Sequence, residues 1–128
     1  MTKQRIIGIA LAGAVMTSLA TVPAAANDAD VIRRGGCDGA STWKLKASPE
    51  DGRIEVEGEV DSNRVGQTWR WRMVHNGELT ARGRATTTAP SGSFEVRRVV
   101  VDMSSVDRLR FRARHPGTGE VCVGRVRF

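Results

Sequence analysis

Gln67-Thr68-Trp69-Arg70-Trp71-Arg72-Met73-Val74-His75-Asn76-Gly77 is the stretch whose reading decides the fold. Tryptophans at 69 and 71 alternate with arginines at 70 and 72. Successive side chains of a strand point to opposite faces, so the pattern predicts a strand with one oily face and one cationic face. Asn76-Gly77 then supplies the positive-φ pair that a tight type I′ hairpin needs. We expect a central strand of a small β-sandwich with its tryptophans in the middle of the core. The chain returns through residues 78–87, where Leu79, Ala81, Gly83 and Ala85 oppose Thr80, Arg82, Arg84 and Thr86.

Outward from this hairpin the same alternation recurs. Residues 41–47 put Trp43, Leu45 and Ala47 on one face and Lys44 and Lys46 on the other. Ser48-Pro49-Glu50-Asp51-Gly52 turns the chain into residues 53–60, with Ile54, Val56, Gly58 and Val60 inward and Glu55, Glu57 and Glu59 outward. These two strands form a predicted hairpin, lysines across from glutamates. Residues 93–101 begin with Phe94 and Val96 inward, then run Val99-Val100-Val101, which predicts a bulge or a strand end buried on both sides. In residues 107–114, Leu109, Phe111 and Ala113 alternate with Arg108, Arg110, Arg112 and Arg114. Pro116-Gly117-Thr118-Gly119 closes a hairpin to residues 120–128, where Cys122, Gly124, Val126 and Phe128 share one face and Arg125 and Arg127 the other. No segment has helical spacing, and there are no heptads or repeats.

The fold class expected is all-β, a seven-stranded antiparallel β-sandwich. It resembles immunoglobulin-like and fibronectin type III-like domains in architecture. The two-residue turn pairs the third and fourth strands. That gives one sheet of the first, second and fifth strands and another in the order fourth, third, sixth, seventh. The chain has no tyrosine, so the tyrosine corner of such sandwiches is absent.

Residues 1–26 read as a secretory signal peptide: Lys3 and Arg5, an apolar run from Ile6, and Ala24-Ala25-Ala26 as the small-residue cut. An uncleaved membrane anchor is the rival reading, disfavoured because a small-residue site ends the run and no basic stop follows at once. Residues 27–36, ending Arg33-Arg34-Gly35-Gly36, read as a flexible lead-in to a domain over residues 37–128. No membrane span is expected after cleavage.

Export makes a disulfide the expected state of the two cysteines, Cys37 and Cys122. In the expected topology the chain enters the first and seventh strands at one end of the sandwich, which brings the two together. A zinc site with His75 and His115 is the alternative, and its ligand spacing is wrong. The alanine cut, the cysteine pair near both ends of the domain, Trp43-Lys44-Leu45-Lys46, Glu59-Val60-Asp61-Ser62-Asn63 and Trp69-Arg70-Trp71-Arg72 together resemble small exported proteins of high-GC Gram-positive bacteria. Many of those have no assigned activity, so the resemblance implies location more than function.

No catalytic or metal constellation emerges. Gly92-Ser93 lacks the second glycine and the following helix of a nucleophile elbow. Glu55, Glu57 and Glu59 share one strand face, whereas glycosidase carboxylates face each other across a cleft. Asp61-Ser62-Asn63 is not a full calcium loop. We expect no cofactor, no metal and no enzyme activity. The distribution of arginine is the remaining signal. The net charge is +6, or +4 once Lys3 and Arg5 are set aside. Arg82 and Arg84, Arg70 and Arg72, Arg108, Arg110, Arg112 and Arg114, then Arg125 and Arg127 fall outward on one predicted sheet with no acid among them. Like charges across a sheet repel mildly, so such a face suits an anionic extracellular or cell-wall polymer or surface. Against this, arginine stems cover apolar surface, and codon bias supplies arginine. The alternative function is a secreted protein-binding module or enzyme inhibitor acting through loops 61–66, 88–92 and 115–119 at the disulfide end.

Overall fold

A computed structural model of the chain describes residues 29–128. The signal-peptide reading and the first residues of the expected lead-in lie outside the described residues. Eight strands follow one another: β1 (Val31–Gly36), β2 (Thr42–Glu50), β3 (Arg53–Asp61), β4 (Thr68–His75), β5 (Glu78–Thr86), β6 (Ser93–Val101), β7 (Arg108–Arg114) and β8 (Val121–Arg127). They form two four-stranded antiparallel sheets, β1-β2-β3-β6 and β5-β4-β7-β8. This is the expected sheet partition with one strand added. Among the described residues no helix is long and apolar enough to cross a membrane.

The added strand corrects the reading of residues 31–36 as flexible lead-in. Val31 pairs with Ala47 and the register runs on to Gly36 opposite Thr42. A segment of two arginines and two glycines looks like a joint, yet its glycines admit an aromatic ring. A Cβ on Gly35 would lie 2.7 Å from the Trp43 ring, and one on Gly124 would lie 2.6 Å from the same indole. Trp43 is therefore clamped between β1 and β8 at the flank of the sandwich, half-buried against the core.

Trp69, Trp71, Phe111, Leu45, Ile54, Val56 and Val60 fill the space between the sheets, as their period-two spacing predicts. Phe111 packs where Gly58 has no side chain. Cys37, just past β1, is bonded to Cys122 in β8, so the disulfide ties one sheet to the other. At the opposite flank β5 meets β6, where the inward-phase Arg98 lies 4.9 Å from the centre of the Trp71 ring.

Two expectations about phase are overturned. Val99 and Val101 stay in regular register opposite Glu55 and Arg53 and point outward, 46% and 60% exposed, so β6 has neither a bulge nor a doubly buried end. The bulge is in the β4–β5 hairpin instead. Asn76 and Gly77 have φ of 49° and 85°, as the tight turn requires, and His75 faces Glu78. Unbroken pairing from that turn would set Arg82 opposite Trp71 and drive the β5 arginines into the core. Thr80 is left unpaired, Val74 meets Leu79, and Met73 meets Ala81. That one extra residue turns Ala81, Gly83 and Ala85 inward and Arg82 and Arg84 outward. Leu79, expected inside, is 51% exposed as a consequence.

Candidate anion-binding site

The outer face of β5-β4-β7-β8 carries all ten arginines singled out in the sequence, and the ladder sets them in rows. Arg84, Arg70 and Arg114 lie directly opposite one another across β5, β4 and β7, and Arg82, Arg72 and Arg112 form the next row. Farther along, Arg110 faces Arg125 and Arg108 faces Arg127. Arg112 is half-buried and the other nine are exposed. Among the described residues none of the ten takes part in an ion pair.

Two grooves lie on this face. The first, about 660 Å³, has the two triplet rows as walls and the inward-facing pair Trp71 and Gly83 as floor. The second, about 760 Å³, has Arg110 and Arg125 on one side, Arg108 and Arg127 on the other, and Leu109 opposite Val126 as floor. Arg33 of β1 joins the second groove. The sequence reading missed it because residues 31–36 were not read as a strand. Its register partner is Leu45, so it has the inward phase, yet β1 is an edge strand beside β8 and Arg33 is exposed there.

The outer face of the other sheet is built differently. Arg97 of β6 reaches Glu57 at 2.7 Å, Glu95 at 3.4 Å and Glu55 at 3.5 Å. Glu57 first, and then Glu55, raise the guanidinium above its ordinary range. Lys44 and Lys46 stand opposite Glu59 and Glu57 as expected, but Arg97 is the cation that pairs with Glu57, and Lys46 lies 3.6 Å from Asp30.

The histidines have structural partners. His75 Nε2 donates to Asp107 Oδ1 at 2.6 Å, and this carboxylate also accepts from the Met103 backbone at 3.2 Å. Sequence spacing offered no sign of this pairing, which spans 32 residues and pins the β4–β5 hairpin to the start of β7. His115 bonds Thr118 Oγ1 at 2.9 Å and stacks near Trp69 with ring centres 5.3 Å apart. The Ser93 hydroxyl lies 2.8 Å from that of Ser91 within the loop entering β6. Asp61 Oδ1 accepts from the Asn63 backbone, closing a turn.

Of the loops named in the alternative reading, 61–66 and 115–119 converge at the disulfide end, while 88–92 lies outside their groove, tied to Ser62 through the Gly92 carbonyl. Asp38, Ser62, Arg64, Gln67, Thr118 and Glu120 are among the residues lining a polar groove of about 450 Å³. The loops are cross-tied: Ser41 donates its backbone and hydroxyl to Glu120, Val121 donates to Asp38, and Thr87 joins Arg64 and Gln67. Compared with known proteins, the chain matches no protein-family model, and no curated protein matches it in sequence.

Proposed function

We propose that this is a secreted, non-enzymatic binding domain that holds an anionic extracellular or cell-wall polymer on the arginine-bearing face of β5-β4-β7-β8. The observation that carries this reading is the contrast between the two outer faces. Codon bias would supply arginine to both alike. One face gathers three carboxylates around Arg97, while the other opposes arginine to arginine across four strands with no carboxylate between. Self-repulsion of that kind is relieved by bound anions, and the guanidinium fork suits phosphate and carboxylate. The disulfide agrees with an oxidising compartment.

A polyanion column tests the reading. Wild type is expected to elute only at high salt, because binding releases condensed counterions. Arg70→Gln with Arg112→Gln lowers the elution salt, whereas Lys44→Gln with Lys46→Gln, on the other sheet, changes it much less. Equal elution of all three proteins would remove the face as a binding site. The convergent groove at the disulfide end supports a second reading, a protein-binding module, which a single salt-tolerant partner held through Arg64 and Gln67 would favour.

A further inference from the structure

Resting on the polyanion reading, we infer that the face takes single flexible phosphate chains, one in each groove, running across the strands. The rows dictate the direction. Neighbouring arginines within a row are about 5 Å apart at their Cα atoms, while the two rows that wall a groove are separated by two residues of strand, about 6.7 Å. Each groove is thus a channel with a line of guanidinium groups on either side and an uncharged floor, Trp71 with Gly83 in one and Leu109 with Val126 in the other. A chain lying in the first meets three arginines on each wall, and one in the second meets two on each wall, with Arg33 also lining it and Val74 and Gly77 as its uncharged part.

The chemistry of the chain follows from the same geometry. The two non-bridging oxygens of a linked phosphate project to opposite sides of the chain axis, so each wall can take one. A carboxylate presents both oxygens in one plane to one fork and leaves the facing wall unmatched. Base stacking is not part of the recognition, because the tryptophans of β4 point inward and no aromatic side chain lies on the outer face. The two channels are parallel and about 13 Å apart, four residues along the strands. Val74 and Leu79 continue the Arg110 row on β4 and β5, and Val123 and Val121 stand opposite Arg112 and Arg114 on β8. The first site's arginines therefore lie on β5, β4 and β7 and the second's on β7 and β8, so the two are offset across the sheet as well as along it and share only β7.

Calorimetric titration of the purified protein with short-chain inorganic polyphosphate tests the inference. Two chains per protein are expected, one for each groove. Arg70→Gln with Arg72→Gln breaches both walls of the first channel and is expected to leave one chain. Arg108→Gln with Arg110→Gln is expected to do the same in the second. Polyphosphate is expected to bind about tenfold more tightly than polygalacturonate of matched length and charge, and about a hundredfold more tightly than orthophosphate. Circular dichroism confirms that each variant is folded. A single chain per wild-type protein overturns the two-channel arrangement. So does a variant that weakens binding without changing the stoichiometry. Equal affinity for polygalacturonate overturns the phosphate assignment. Tighter binding of duplex DNA at one per protein overturns the single-chain geometry. In each of those cases the polyanion reading survives, whereas failure of every polyanion to bind removes that reading itself.

Discussion

Asp107 shows what a single residue can hold together. It is fully buried at the start of β7, and burial alone would push its carboxyl up. Hydrogen bonds from His75, the Met103 backbone and Asp102, with the charge of His75, outweigh burial and leave it below the usual carboxylate range. A depressed carboxylate stabilises the fold above its unfolded value, about 3.9, and that contribution is lost as pH falls through the folded value. Asp102 moves the other way, raised by desolvation and by its bond to Asp107. Its contribution is present at low pH and fades as pH rises through the raised value. Denaturant melts in the acid range below about pH 5 are therefore expected to show wild type losing stability more steeply than Asp107→Asn. At neutral pH the variant is expected to be weaker by about 1–3 kcal/mol, the cost of disturbing a buried hydrogen-bonded group. Parallel acid limbs would show that the shift on Asp107 does not govern acid stability. The pairing itself was illegible in the sequence, because His75 and Asp107 are joined only when the hairpin folds back onto β7.

At the scale of elements, the β4–β5 hairpin holds two conflicting signals. The Asn76-Gly77 turn sets one register, and the alternation of Ala81, Gly83 and Ala85 with Arg82 and Arg84 demands the other. Burying two arginines beside tryptophans costs far more than one unpaired residue, so the bulge at Thr80 is what remains. Thr80 softens the cost by donating its hydroxyl to the Met73 carbonyl at 3.1 Å. Deleting Thr80 would join Leu79 directly to Ala81 and keep Met73 opposite Ala81 and Arg72 opposite Arg82. That variant is expected to fold with its arginines still outward and to lose about 1 kcal/mol with the hydroxyl bond. Thermal melts and the polyanion column read both expectations. Failure to fold would mean that the twist imparted by the bulge, not its register, is what the sandwich needs. The alternation of β5 was legible in the sequence; the bulge that permits it was not, because it exists only where two strands are counted against each other.

At the scale of the molecule, the disulfide closes one flank. β1 and β8 belong to different sheets, and the bond from Cys37 to Cys122 joins them across a sequence separation of 85 residues. Closing so long a loop removes conformational freedom from the unfolded chain, about 4–5 kcal/mol in the chain-entropy account. Replacing both cysteines with alanine is expected to lower stability by that order, and the melting temperature by roughly 15 °C or more for a domain of this size. An unchanged melting temperature would show that the packing of Trp43 between Gly35 and Gly124 closes the flank without help. The arginine grooves belong to this scale too, since Arg33 reaches the second groove only because β1 and β8 lie side by side.

The alternation of residue types by itself determined seven of the eight strands, the Asn76-Gly77 hairpin, the partition of those seven into two sheets, the cysteine pair and the side to which ten arginines point. Each of these follows from period-two chemistry within one segment or from the lengths of the turns between segments. Only the tertiary structure decided that residues 31–36 pair as β1, that Thr80 bulges, that His75 meets Asp107, and that the arginines stand in opposed rows with grooves between. All four depend on how distant strands are matched in register, and register is set by the burial of the whole core rather than by any one stretch of chain.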